Sequence, residues 1–223
     1  IMHILSGNQF SKNFISDLFE FTEDIETYPL KYYKLLQGKI LINAFFEPST
    51  RTSLSFECAM KQLGGDVITF NKDVSSLQKG ESFEDTIRSL ECYGDIMVLR
   101  HPIKNNINIA KDLLNIPLIN GGNGSGEHPT QALLDLYTIY KRFKTLENKN
   151  ILFIGDIKYS RTIHSLIELF RLYPTTKIYL LPCGEYESIE NTKIVDENVD
   201  LSIFDVVYCT RYQKERVEKD NTN

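Results

Sequence analysis

The chain has 223 residues, of which 42% are hydrophobic and 25% charged, and its formal net charge is −5. Those values are globular, and the length is enough to bury a core without disulfide or metal staples. They exclude intrinsic disorder, and the acidic balance excludes a general nucleic-acid binder while allowing a local cationic pocket. No apolar run reaches the length of a membrane span; runs such as Ile151–Ile154 are strand-sized. The opening Ile-Met-His-Ile-Leu-Ser has neither the charged nor the apolar region of a signal peptide, so a cytoplasmic location is expected. Cys58, Cys92, Cys183 and Cys209 form no C-x-x-C pair and have no His at ligand spacing. They read as buried or half-buried free thiols in a reducing compartment, with no metal site.

In chain order the pattern alternates strand and helix. Residues 11–24 form an amphipathic helix with Phe14, Ile15, Leu18, Phe21 and Ile25 on one stripe. Lys39–Phe46 is a buried strand, and a helix from about Ser49 to Leu63 ends at Gly64-Gly65. Val67–Phe70 is a strand, and Ser82–Tyr93 is a helix opened by the capping pattern Ser82-x-x-Asp85. Then come strand Ile96–Leu99, helix Ile107–Asn115, strand Pro117–Ile119 and the long helix Pro129–Phe143. The rhythm restarts with strand Ile151–Ile154, helix Ser160–Tyr173 and strands Lys177–Leu181 and Phe204–Cys209. The polar stretch Thr145–Asn150 separates the two series, which sets the domains at 1–147 and 148–223. The fold class is α/β: two domains, each a mainly parallel sheet with helices on both faces, and a ligand site in the cleft between them.

Several strand-to-helix corners carry chemistry. Phe46-Glu47-Pro48-Ser49-Thr50-Arg51-Thr52 leads from a strand into a helix, where hydroxyls, N–H groups and the helix dipole make an anion site. Plain N-capping by Ser and Thr is the competing reading. Arg100 follows another strand end, where open α/β sheets bind ligands. Gly121–Gly126 feeds His128 and Pro129 into a helix start; a His there tends to be neutral and to donate one N–H, which suits polarising a carbonyl. Gln131 lies one turn on, on the same helix face. Arg161 and Arg211 also stand at strand-end corners, and Ser76 and Lys79 lie in a loop. Taken singly, each has a bland reading as a cap or a solvated residue. Together, cations concentrated at strand ends in an acidic chain point to a small polyanionic substrate. The chain has no Gly-x-Ser-x-Gly elbow for serine hydrolase chemistry and no Walker loop.

Six segments in this order resemble the catalytic chains of the aspartate carbamoyltransferase family: Phe46–Thr52, Ser76–Glu81, Val98–Pro102, Glu127–Leu136, Gly155–Ser165 and Thr210–Arg216. The resemblance runs from about Ser11 to Arg216. It implies an enzyme of pyrimidine synthesis that condenses carbamoyl phosphate with L-aspartate, giving N-carbamoyl-L-aspartate and phosphate, with no metal or organic cofactor. By resemblance Ser49, Thr50, Arg51 and Thr52 hold the phosphate. Thr52, Arg100 and His128 contact the carbonyl oxygen, and Gln131 the carbamoyl amide. Arg161, Arg211 and Gln213 bind the aspartate carboxylates. Ser76 and Lys79 enter a neighbouring subunit's site, which implies a homotrimer with shared sites. Glu47 supports domain closure, with Arg161 and Arg216 as its expected partners. Family members continue past Arg216 with a His-Pro-Leu-Pro segment, whereas the His-Pro pairs here are at 101–102 and 128–129, so the second domain is expected to be incomplete at its C-terminus. Two alternatives are an ornithine carbamoyltransferase and a catalytically silent scaffold. Against the first, two arginines suit a dicarboxylate better than a cationic amino acid.

Overall fold

The computed structural model describes residues 2–211. Compactness divides the chain into Ile1–Thr130 and Gln131–Asn223. The polar stretch at 145–150 suggested a boundary at 147/148; the division falls earlier, inside a helix. The physical reason is that this helix packs with the strands C-terminal to it: its Asp135 accepts a hydrogen bond from Tyr208.

The first unit contains α1 (Lys12–Thr27), α2 (Pro29–Tyr32), β1 (Ile40–Phe45), α3 (Arg51–Gln62), β2 (Asp66–Asn71), α4 (Phe83–Glu91), β3 (Ile96–His101), α5 (Asn106–Leu113) and β4 (Leu118–Asn123). Its four strands are parallel in the order β2-β1-β3-β4. The central strands β1 and β3 bury Leu41, Ile42, Asn43 and Ala44, and Met97, Val98 and Leu99. Such unbroken runs are what a strand covered on both faces requires. The period of two sorts them. Ile42, Ala44, Met97 and Leu99 pack with Ile87 of α4 and with Ile107 and Ala110 of α5. Leu41 and Val98 pack on the other face with Met60 of α3. This is the outcome of right-handed crossovers that leave β1 in one direction and return across it in the other. Ser82 caps α4, accepting from Asp85 N–H at 3.1 Å and donating to its carboxylate at 2.8 Å. The outer edge of β4 is covered by a short parallel pairing with Ile4.

Across the division runs α6 (Pro129–Phe143), succeeded by β5 (Asn150–Gly155), α7 (Arg161–Phe170), β6 (Lys177–Pro182), β7 (Thr192–Ile194) and β8 (Val206–Cys209). These strands are also parallel, in the order β7-β6-β5-β8. Ile151, Leu152 and Phe153 of β5 are fully buried. The expectation of buried thiols is corrected: all four cysteines are free but exposed. Cys209 shows why, for β8 is an edge strand whose residues alternate half-buried and exposed.

One glycine is demanded by the strand packing. Gly155 has φ +123°, and a Cβ there would stand 2.3 Å from the Thr210 carbonyl oxygen. Gly38 has φ +78° with open space around it. Gly155→Ala should therefore cost about 2–4 kcal/mol, against roughly 1 kcal/mol for Gly38→Ala, in equilibrium denaturation. Equal losses would show that the approach of the two strand ends is not tight.

Candidate active site

In each sheet the strand order reverses beside the first-laid strand, and open α/β sheets bind ligands at such points, beyond the carboxyl ends of the strands. In the first unit the reversal lies between β1 and β3, and in the second between β5 and β8.

At the first reversal the segment after β1 carries Glu47 and the start of α3. Arg100, placed by sequence just past a strand, is in fact within β3, which runs on to His101. Its Nε donates to Glu47 Oε1 at 2.6 Å and its Nη1 to Thr52 Oγ1 at 3.4 Å. The Arg100 and Glu47 side chains are only 14% and 20% exposed, so this pair is held in a sheltered place. Glu47 was expected to pair with Arg161 and Arg216. Arg100 is its partner in the first unit, and Arg216 and Gln213 lie outside the described residues. A guanidinium carries five N–H donors, so these two bonds leave donors for an anion.

The first turn of α3 is anchored rather than capped. Asn43 Nδ2, buried in β1, donates to the carbonyl and hydroxyl oxygens of Ser53 at 3.2 and 3.0 Å. Thr50, at the N-cap position, makes no side-chain cap bond. Plain capping is therefore not what the Thr50 hydroxyl does. Ser49 and Thr52 are half-buried, and Thr50 and Arg51 are exposed at the same helix end. Hydroxyls, helix N–H groups and a cation at one helix end, with Arg100 bonded to Thr52, are the donor types that a dianion requires.

His128 is buried and precedes Pro129, the first residue of α6. The segment before it is tied at several points. Gly121–Asn123 belong to β4 rather than to a loop. Asn120 Oδ1 accepts from Gly122 N–H at 2.8 Å, and Asn123 Oδ1 accepts from Glu127 N–H at 2.7 Å. The Glu127 carboxylate accepts from the Ser6 hydroxyl and from Gly7 N–H, so the N-terminal segment clamps the residue next to His128. Thr130 Oγ1 lies 3.5 Å from His128 Nδ1. Gly124, at φ +57°, brings its backbone against Pro102, where a Cβ would meet the carbonyl oxygen at 2.4 Å.

His101 sits behind Arg100. Its ring packs on Phe46 and Phe83, at centroid distances of 5.0 and 5.1 Å. Its Nδ1 accepts from Ile103 N–H at 3.0 Å, and its Nε2 lies 3.0 Å from Asn106 Nδ2. Burial pushes its pKa below the ordinary 6.5, with Glu47 pulling the other way and Lys72 adding to the depression. Ser76 and Lys79 stand exposed on a 3-10 turn.

At the second reversal Arg161 is the first residue of α7, and Arg211 comes just after the end of β8. The two strand ends are bonded neighbours: Thr210 N–H donates to the Ile154 carbonyl at 2.9 Å. Ser160, at the N-cap of α7, makes no side-chain cap bond, as Thr50 makes none at α3. Asp156 is buried and accepts from Tyr159 N–H at 3.0 Å, shaping the turn before Arg161. Lys158 pairs with Glu185 at 3.2 Å on the surface. Gln131, on α6, donates to Asp135 at 3.0 Å, and Tyr208 donates to the same carboxylate. Sequence reasoning did not single out Asp135, Tyr208, Asn43 or the Glu127 clamp. The four-residue spacing of Gln131 and Asp135 on a helix was the one local signal for any of them. Among the described residues no group of three or more His, Cys, Asp or Glu could hold a metal ion.

The chain is similar to known proteins. A family model described as the carbamoyl-phosphate binding domain of aspartate/ornithine carbamoyltransferases matches residues 2–141. The aspartate carbamoyltransferase catalytic subunit of Leptospira biflexa is 44% identical over 96% of this chain and 73% of that protein. A multifunctional protein of Neurospora crassa, pyr-3, is 41% identical over 96% of this chain, which spans only 12% of that protein. The crystal structure of Trypanosoma cruzi aspartate transcarbamoylase in complex with carbamoyl phosphate superposes with a TM-score of 0.90 at 37% identity, covering 96% of this chain and 72% of that one.

His101 makes folding sensitive to acid. Its folded pKa is depressed, so the unfolded chain binds the proton more readily. Its contribution to stability is complete above pH 6.5 and is lost as the pH falls through the lower folded value. His101→Asn, which cannot titrate, should flatten the fall of Tm between about pH 7.5 and 5.5 even if it lowers Tm overall. An unchanged slope would assign the acid sensitivity to other groups.

Proposed function

The chain belongs to the aspartate/ornithine carbamoyltransferase family, and from that premise we propose that it transfers the carbamoyl group of carbamoyl phosphate to the amine of L-aspartate, releasing phosphate. The observation that carries this reading is Arg100. It is fixed by Glu47 and Thr52 beside the uncapped start of α3, and it keeps guanidinium donors for a ligand oxygen.

In this reading Ser49, Thr50, Arg51 and Thr52 bind the phosphate at a helix N-terminus. Thr52, Arg100 and His128 meet the carbonyl oxygen. When the aspartate amine attacks the carbonyl carbon, negative charge develops on that oxygen, and fixed donors aimed at it lower the barrier. A neutral His128 donating one N–H suits this role better than an imidazolium, which the N-terminus of α6 disfavours. The departing phosphate is the candidate acceptor of the amine proton. Gln131 reads the carbamoyl amine. Arg161 and Arg211, at neighbouring strand ends, suit two carboxylates, as does Gln213 by resemblance. This favours aspartate over ornithine, whose side chain is a cation. Ser76 and Lys79 serve a neighbouring subunit in a homotrimer, which their exposure here supports.

Arg100→Ala should lower kcat/KM for carbamoyl aspartate formation by about 10²–10³. Arg211→Ala should raise the KM for aspartate and leave that for carbamoyl phosphate within about twofold. Normal turnover by Arg100→Ala would overturn the carbonyl assignment. Sharing of sites has its own check: mixing Arg51→Ala with Lys79→Ala chains should restore activity that neither has alone. Mixtures as inactive as their parents would mean that each site is built from one chain.

A further inference from the structure

Helix α6 and strand β8 share a polar group that the mechanism above does not use. Asp135 is half-buried. Its Oδ1 accepts from Gln131 Nε2 at 3.0 Å, and its Oδ2 accepts from the Tyr208 hydroxyl at 3.1 Å. Burial raises the Asp135 carboxyl above the ordinary range, and the bonds from Tyr208 and Gln131 draw it back toward the ionised form. Burial likewise pushes the Tyr208 phenol up to about 12, so it stays a donor at neutral pH.

The consequence is directional. A carboxylate has only acceptors to offer, so the half of the Gln131 amide facing it is the NH₂. The carbonyl oxygen is then the half that Gln131 presents elsewhere. An unrestrained primary amide can turn over and present either end. We infer that Asp135 is a positioning residue that locks Gln131 with its carbonyl oxygen toward the ligand, so that the ligand group read there must carry an N–H. This rests on the carbamoyl phosphate reading, in which that group is the carbamoyl amine. Asp135 thereby sets the preference for carbamoyl phosphate over acetyl phosphate, which has the same shape with a methyl group in place of the amine.

The test compares the affinities of carbamoyl phosphate, acetyl phosphate and inorganic phosphate in the full chain. Asp135→Asn keeps the shape but not the direction. Tyr208 goes on donating to the new side chain's oxygen, so the new NH₂ faces Gln131 and turns its amide over. The preference for carbamoyl over acetyl phosphate should fall about tenfold, with inorganic phosphate unchanged within roughly twofold. Adding Tyr208→Phe frees the new amide to rotate and should restore part of the preference, an epistasis that general loosening would not produce. Gln131→Met should lower the preference equally, and Asp135→Asn should add nothing to it. If Asp135→Asn does not fold, Asp135→Ala, which leaves the Gln131 amide unrestrained, should lower the preference in part, again with inorganic phosphate unchanged within roughly twofold. An unchanged preference, or equal weakening of all three ligands, overturns the inference. An unaltered chain that binds carbamoyl phosphate no better than acetyl phosphate overturns the carbamoyl phosphate reading, and this inference with it.

Discussion

Parallel pairing around a reversal of strand order is the constraint on which everything else hangs. Parallel strands require long crossovers, and right-handed crossovers that run in both directions from one strand must use both faces of the sheet. In the first unit α3 therefore lies on one face and α4 and α5 on the other, so that β1 and β3 are buried on both sides. The same reversal leaves the ends of β1 and β3 with chains departing to opposite faces. Into that gap project the residues after β1 and the last residues of β3, which are Glu47, Thr52 and Arg100. The second sheet repeats the device at β5 and β8, with Arg161 and Arg211 beyond the strand ends.

The reversal also explains why a cation at such a place needs a carboxylate. The start of α3 already carries the positive end of a helix dipole. Adding a sheltered guanidinium there without compensation would cost several kcal/mol. Glu47 offsets that cost through Nε, and with Nη1 on Thr52 the guanidinium keeps further N–H donors. An anion arriving at α3 thus meets a preformed donor set rather than one that must be assembled. The overall charge of −5 conceals this, because it sums over a surface on which cations such as Lys31, Lys39 and Lys61 are paired with neighbouring acids.

Legibility in the sequence depended on which signals are local. The runs at Lys39–Phe46, Ile96–Leu99 and Ile151–Ile154 are apolar because both faces of β1, β3 and β5 are covered, and the period of their apolar residues marks them as strands. Pro129 marked the start of α6, and Ser82 the start of α4. β7 carried no such mark: Thr192–Ile194 is a short edge strand with a half-buried first residue and two exposed ones, so its side chains need not be apolar. The polar stretch at 145–150 follows α6, whereas compactness divides the chain within that helix, at Thr130/Gln131. Ile15 and Phe19 are the buried residues of α1, while Phe21, assigned to the same stripe, is 43% exposed. Of the residues announced by motif, Thr50 and Arg161 stand at helix starts, Ser76 and Lys79 on a 3-10 turn and Arg100 within β3, while Gln213 and Arg216 lie outside the described residues. Their supports were not announced by motif, since Asn43, Glu127 and Tyr208 act across separations that no local pattern encodes.

The proposed function asks for two kinds of recognition, and they differ in how they can fail. A phosphate or a carboxylate is recognised by charge, and charge tolerates small displacements because Coulomb energy falls slowly with distance. A carbamoyl amine is uncharged and is distinguished from a methyl group only by the sign of one hydrogen bond. That sign depends on which way an amide is turned, and an amide cannot fix its own orientation. The carboxylate of Asp135 can, because it has no donor to offer, and Tyr208 holds its second oxygen from a different element. A helix alone would leave the Asp135 side chain free to rotate; a strand partner removes that freedom. Directional recognition therefore needs the packing of α6 against β8, whereas charge recognition needs only a helix start and a strand end. This is why the residues proposed to bind anions could be read from short motifs and the residue proposed to orient Gln131 could not.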